Sequence, residues 1–255
     1  MLDFKRRIEA EYLNLKLTTS GMDQAIFHLI NGQWTSPALD LFMAALSNSE
    51  IWNPLLIAIV LSALFFGGFK ARTFMVCLLL SLLIGELFTS VLKSAIDRRR
   101  PKQVQDVRMV ELQKARPTFM TLFKKPTIRF SGQSDRNRSG PSFPSGHVTN
   151  NTIIAVYLTL FYRRRGWLYW IVAAAVGYSR IYLGAHWPSD VIATLFLATG
   201  EALVLLGLFE LIWRTATRRW APDVYARHPN LIPTGRRVST FAGPDSEAGN
   251  SRHIS

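Results

Sequence analysis

The chain has 255 residues, 49% of them hydrophobic and 18% charged, with 30 Lys and Arg against 17 Asp and Glu for a net charge of +13. Its apolar residues are concentrated in long runs, which excludes an ordinary soluble globule, a collagen, a disulfide scaffold and a wholly disordered chain. The length allows one domain or two, the positive balance favours acidic partners, and the single cysteine, Cys77, can close no intrachain disulfide.

In chain order, the first 18 residues carry basic groups but no apolar core of the kind a cleaved signal peptide needs, so insertion is expected to rest on internal spans. Residues 22–48 hold short apolar clusters broken by Asn31-Gly32 and Pro37. They read as short interfacial helices, with a poor sixth span as the alternative. Ile51 to Phe69 is 19 residues without a charge, and Thr73 to Leu92 is 20 residues with one, Glu86. Crossing a hydrocarbon core of ~30 Å takes about 20 mostly apolar residues, so both runs are long enough. Further spans are expected over 147–162, 166–183 and 190–213, and these lengths suit helices rather than barrel strands.

Between the second and third spans lies a polar insert of 42 residues, 102–143. Residues 93–143 contain 13 Lys and Arg against 4 Asp and Glu. The insert reads either as a solvated loop lying on anionic lipid or as a lid that recognises a substrate with more than one phosphate or an acidic headgroup. Residues 221–255 are polar and rich in Gly, Pro and Ser, and are expected to be a disordered tail.

Lys70, Arg72, Arg163, Arg164, Arg165, Arg214, Arg218 and Arg219 fall on one face of a bundle of five alternating helices. The positive-inside rule makes that face cytoplasmic, although the N-terminal Lys5-Arg6-Arg7 would then lie outside.

Three clusters fall at span ends on the other face. The first runs from Lys93 to Arg100-Pro101, and if the helix continues that far the two cations share one side. The second is Pro144-Ser145-Gly146-His147, where a Ser-Gly pair suits a helix N-cap with free N–H groups for an anion. The third is Ser179-Arg180, with His186 and Asp190 following, and Pro188 in the first turn of the fifth span. Three cations, a ring of backbone donors, two histidines and a carboxylate suit a phosphate. A histidine beside a carboxylate can keep its second nitrogen unprotonated and nucleophilic, and the other histidine can protonate the leaving oxygen. Nothing in the motifs asks for a cofactor or a metal, since there is no HExxH, no carboxylate cluster and no cysteine pair.

The order Lys-x6-Arg-Pro, Pro-Ser-Gly-His, Ser-Arg-x5-His-x3-Asp resembles the three-part signature of the type 2 phosphatidic acid phosphatase superfamily, the lipid phosphate phosphatases related to vanadium haloperoxidases. Eleven identities match in order, across gaps of 42 and 31 residues. The resemblance implies an all-α integral membrane bundle with a phosphatase/haloperoxidase-like core, for which the apolar runs give about five transmembrane helices where membrane members of the family often have six. It implies that His186 attacks phosphorus to form a phosphohistidine, that Asp190 orients His186, and that His147 is the general acid. Lys93, Arg100 and Arg180 would bind the phosphate with Ser145 and the Gly146 backbone. The expected organisation is an interfacial segment 1–50, a membrane-embedded phosphatase domain 51–213 and a cytoplasmic tail 214–255.

The expected partners are a lipid phosphate or diphosphate and the membrane lipids themselves, with no nucleic acid. The expected setting is a bacterial inner membrane with the site on its outer face. Rival readings are a non-catalytic lipid-phosphate binder or transporter and a vanadate-dependent haloperoxidase. Arg98 and Arg99 read as headgroup contacts. Glu86 and Glu201 sit within spans, where acids are functional candidates by default, and Glu86, two helical turns before Lys93, reads rather as a structural partner in the bundle. The aromatics near span ends, Tyr182 and Trp187 among them, read as an interfacial belt, these two also flanking the site within reach of a headgroup.

Overall fold

A computed structural model of the chain describes residues 21–137 and 140–232. Residues 21–33 form helix α1, whose last turn, Leu29–Gln33, is π-helical. Helix α2, Pro37–Ser47, starts under a Ser36 cap, whose hydroxyl accepts from the Leu39 N–H, with proline in its first turn. The broken apolar pattern of 22–48 therefore resolves into two short helices, and α2 with 11 residues is too short to cross a bilayer.

Helix α3, Ser49–Phe66, is capped by the Asn48 side chain and buries only Ile51. A helix apolar all round that keeps so little of itself inside the protein has its apolar surface available to lipid. Helix α4, Phe69–Ile96, presents Phe74, Cys77, Leu78, Ser81, Gly85 and Thr89 inward at helical spacing. Gly85 lets α4 approach closely, since a Cβ there would lie 2.9 Å from Ile153 and 3.2 Å from Glu201.

The insert is not a plain loop. It begins with helix α5, Pro101–Val104, and contains strands β1, Arg108–Glu111, and β2, Thr127–Phe130, paired antiparallel with Arg108 opposite Phe130. A 3-10 helix, Thr118–Phe123, fills the connection between the strands, and a short helix α6, Gln133–Asn137, follows β2. Arg129 draws the hairpin and α6 together through Glu111 (2.6 Å) and Asp135 (2.6 Å). Periodicity could not reveal strands of only four residues.

Helix α7, Gly146–Tyr162, is the central pillar, packed by α4, α9 and α10. Ile153 and Tyr157 are wholly buried, and the Tyr157 hydroxyl is 2.5 Å from Ser81 on α4. Helix α8, Arg164–Trp167, and helix α9, Tyr169–Tyr182, return the chain to the first end. Helix α10, Pro188–Trp220, lays Thr194, Ala198, Ala202 and Leu206 along the bundle interior, and helix α11, Pro222–Arg227, follows it.

Among the described residues three helical stretches are long and apolar enough to cross a membrane, those containing α3, α4 and α10. The expected spans 147–162 and 166–183 are helices of 17 and 14 residues at their cores, α7 and α9, and α7 is largely enclosed by the others. The tail expected from 214 onward differs as well. The helix runs on to Trp220, and Leu231 is buried with its N–H donating to Glu210 at 2.8 Å. Lys5, Arg6 and Arg7 and residues 233–255 lie outside the described residues.

A second apolar cluster ties the N-terminal helices to the insert and to α9. Phe27, Met43, Val107, Val110, Tyr182 and Trp187 belong to it. Inside it, Arg108 grips the buried Asp40 through two hydrogen bonds of 2.8 and 2.7 Å, and the Tyr182 hydroxyl donates to the same carboxylate at 2.6 Å. Asn31 donates to the carbonyls of Arg108 (2.9 Å) and Tyr182 (2.7 Å). These bonds fix the roof of the site end.

Candidate active site

The site forms where α4 ends, α7 and α10 begin, and α9 ends, so all three motif clusters meet at one end of the bundle. The Lys93–Arg100 cluster does not arrive there on a single helix face. Helix α4 stops at Ile96, and Asp97 adopts a left-handed conformation (φ 42°) that turns the chain. Arg100 lies beyond that turn, where its Nε donates to the Gly140 carbonyl at 2.9 Å. Burial lowers the Arg100 pKa from its ordinary value, which Asp190 opposes.

Ser145 is the N-cap residue of α7 and fully buried, yet its side chain makes no cap hydrogen bond. Its N–H donates to Thr194 Oγ1 at 3.0 Å, while its Oγ is buried without a partner. Arg180 Nε is likewise buried and unpartnered, although an Nη donates to the Ser47 hydroxyl. Unsatisfied polar atoms are costly inside a fold, so two donors left open beside a helix N-terminus mark a place for an anion. His147 is held on the same edge, its Nε2 3.2 Å from the Ser47 carbonyl.

His186 comes from the loop between α9 and α10. The N–H groups of Ala185 and His186 both donate to the Arg180 carbonyl, at 3.0 and 3.2 Å, which folds the loop back onto α9. Gly184 makes the turn at φ +69°, where a Cβ would come within 2.0 Å of Val107, so only glycine fits under the insert. The imidazole is 3% exposed. Burial, then the charges of Arg100 and Arg180, hold its pKa well below the usual imidazole value, with Lys93 adding to them and the Ser142 backbone opposing. The ring is therefore neutral and basic nitrogen is available at neutral pH.

His186 Nδ1 stands 3.9 Å from Asp190 Oδ2, beyond hydrogen-bond reach. The carboxylate is occupied by others. It accepts from the Ser142 hydroxyl, from the Trp187 N–H at 3.0 Å and from Arg98 at 2.5 Å. Arg98 also donates to Asp23 at 2.7 Å, and Asp23 accepts from the Ser189 N–H at 2.8 Å. A chain of charges thus runs from α1 through Arg98 to the first turn of α10.

The sequence reading treats Arg98 and Arg99 alike, as headgroup contacts. The structure separates them, with Arg98 in this network and Arg99 exposed. No sequence signal distinguishes two neighbours in a run of three arginines, because the left-handed turn at Asp97 decides which of them points inward. Ser47, Ser142, Thr194 and Asp23 were also invisible beforehand, being single polar residues without a motif. Tyr182 and Trp187 are not headgroup contacts: both are buried, and Trp187 donates to the Arg99 carbonyl at 2.9 Å. Glu86 is exposed on α4, and Glu201 Oε1 is buried without a partner.

Residues 74–214, more than half of the chain, match the PAP2 superfamily, and the protein belongs to that superfamily. It is 28% identical over 222 residues to the lipid A 4'-phosphatase of Porphyromonas gingivalis, spanning 85% of this chain and 84% of that one. It is 29% identical over 176 residues to the undecaprenyl-diphosphatase of Sulfolobus acidocaldarius, spanning 68% of this chain and 71% of that one. Its fold is similar to the crystal structure of a transmembrane PAP2 type phosphatidylglycerolphosphate phosphatase from Bacillus subtilis, with a TM-score of 0.55 and 22% identity over 76% of this chain and 88% of that one.

Proposed function

We propose that the protein is a membrane lipid phosphatase, hydrolysing a phosphomonoester or diphosphate carried by a lipid at the α7/α10 end of the bundle. The observation that carries this reading is the buried His186 under the charges of Arg100, Arg180 and Lys93, at the end of the bundle where the Ser145 hydroxyl is buried without a partner. The substrate class takes in lipid A phosphates, polyprenyl diphosphates, phosphatidic acid and phosphatidylglycerol phosphate. Relatives named for the first two support it.

In the first half-reaction His186 Nε2 attacks phosphorus, a P–N bond forms and the P–O bond to the lipid breaks. His147 gives its proton to the departing oxygen. In the second half-reaction water attacks the same phosphorus, His147 takes a proton from it, the P–N bond breaks and inorganic phosphate leaves. Lys93, Arg100 and Arg180 meet the charge on the phosphoryl oxygens, together with Ser145 and the Gly146 N–H. Asp190, clamped by Arg98, anchors the start of α10 beneath His186 and places a negative charge on the Nδ1 side of the ring. This favours Nε2 as the nucleophile.

The site opens on the outer face of a bacterial inner membrane. Supporting this, the eight cations of the short loops lie at the opposite end, where α3, α7 and α10 finish, and Lys70 stands over the Tyr162 ring at 4.7 Å. In this arrangement α7 and α9 are the additional crossings. The test is phosphate release from a panel of lipid phosphates and diphosphates by purified protein. His186→Ala and His147→Ala should abolish it and EDTA should leave it intact. Undiminished turnover by His186→Ala would refute the nucleophile.

A further inference from the structure

The 3-10 helix Thr118–Phe123 takes no part in the site. It packs against the beginning of α3, beside the pair formed by Lys114 and Glu50 at 3.5 Å. Thr121 is its inward residue, 2% exposed, and its hydroxyl accepts from the Ala115 N–H at 3.3 Å. Its other side faces outward, with Phe119 55%, Met120 45% and Phe123 80% exposed.

These side chains do not stand alone. The outer surface of α3 starts at the same level with Trp52, Leu55 and Leu56, all exposed, and α3 is apolar enough to cross a membrane. The 3-10 helix therefore extends the apolar shell of the bundle sideways at the depth where α3 enters lipid. Its charge matches that position. Lys114, Arg116, Lys124 and Lys125 are exposed around it, and residues 112–126 contain no acid. Large apolar groups ringed by long cationic side chains suit the boundary between acyl chains and anionic headgroups.

We infer that residues 114–125 are an interfacial anchor, in which Phe119, Met120 and Phe123 enter the leaflet on the site's side while Lys114, Arg116, Lys124 and Lys125 bind anionic lipid headgroups. The anchor holds the insert flat against the membrane, and through β1 and Val107 it holds the roof over Gly184 and His186.

The test is spectroscopic and needs no turnover. Phe123→Cys in a Cys77→Ala background is labelled with an environment-sensitive fluorophore and placed in nanodiscs. In discs containing phosphatidylglycerol the emission should shift to the blue and be mostly lost to lipids bearing a nitroxide near the headgroup. In phosphatidylcholine discs, at high salt, or with Lys124→Glu and Lys125→Glu added, both effects should shrink. A label at Met120→Cys should report the same pattern, which guards against distortion by one probe. A water-like, unquenched emission in anionic discs would overturn the inference. So would quenching indifferent to lipid charge, or energy transfer between labelled copies in place of quenching, which would give this face to a second chain. An unanchored label in an active protein refutes the anchor alone, and an anchored label in an inactive protein refutes only the phosphatase.

Discussion

The two ends of the bundle carry the same residue types and use them differently. At the far end Arg163, Arg164, Arg165, Arg218 and Arg219 are exposed and meet solvent or headgroups. At the site end Arg98, Arg100 and Arg180 are partly buried and pointed by specific partners: two carboxylates, a pair of backbone carbonyls and a serine hydroxyl. Arginine content therefore does not define a phosphate site. What sets the site end apart is arginine held in place by named partners, next to a histidine whose pKa is lowered first by burial and then by Arg100 and Arg180.

The sharpest way to break the contrast is substitution at each end. His186→Ala should lower phosphate release by more than about 10⁴-fold, the scale on which loss of a nucleophile acts. Arg164→Ala and Arg219→Ala at the far end should stay within about twofold, because exposed charges contribute little. Comparable losses at both ends, measured as kcat/KM on one lipid phosphate, would erase the distinction.

Arg98 sharpens it further. Arg98→Ala strands the Asp190 carboxylate, 0% exposed, and should cost about 2–3 kcal/mol of stability, because removing one partner of a buried pair leaves an uncompensated charge. Arg99→Ala, its exposed neighbour, should leave thermal unfolding within about 0.5 kcal/mol of wild type. Equal melting temperatures for the two variants would show that the network carries no stability.

The pH profile gives a smaller effect with a definite sign. The folded pKa of His186 is lowered, so the neutral ring persists as pH falls below the ordinary imidazole value and is lost only further into acid. The acid limb of kcat/KM assigned to His186 should thus lie well below pH ~6.5. Arg100 is one cause of the lowering, so Arg100→Gln should move that limb to higher pH while also reducing the rate. A limb that stays put in Arg100→Gln would mean that burial and the other cations, not Arg100, set the imidazole.

The smallest expected effect is a partial rescue at the roof. Gly184→Ala forces a Cβ into Val107, and Val107→Ala should relieve part of the damage. Recovery of activity in the double variant, relative to Gly184→Ala, checks that the insert presses on the His186 loop.

Much of this molecule was legible in order of residues. Long uncharged runs mark α3 and α4 because lipid rewards continuous apolar length, a property of composition alone. Eleven motif residues carry the resemblance to the superfamily that residues 74–214 match, because residue identity and spacing are written in the sequence itself. The short strands β1 and β2, the ordered stretch beyond 213 and the shortness of α9 were not legible, since four paired residues or a buried helix leave no period to read. That Arg98 and Arg100 are held by partners while Arg99 stays exposed between them was settled only once the chain turned at the left-handed Asp97. That Asp190 is clamped by Arg98 and Ser142, leaving His186 3.9 Å away, was settled by distant segments meeting in space. Residue chemistry is local and survives in the sequence, whereas partnership depends on long-range geometry and exists only once the chain is folded.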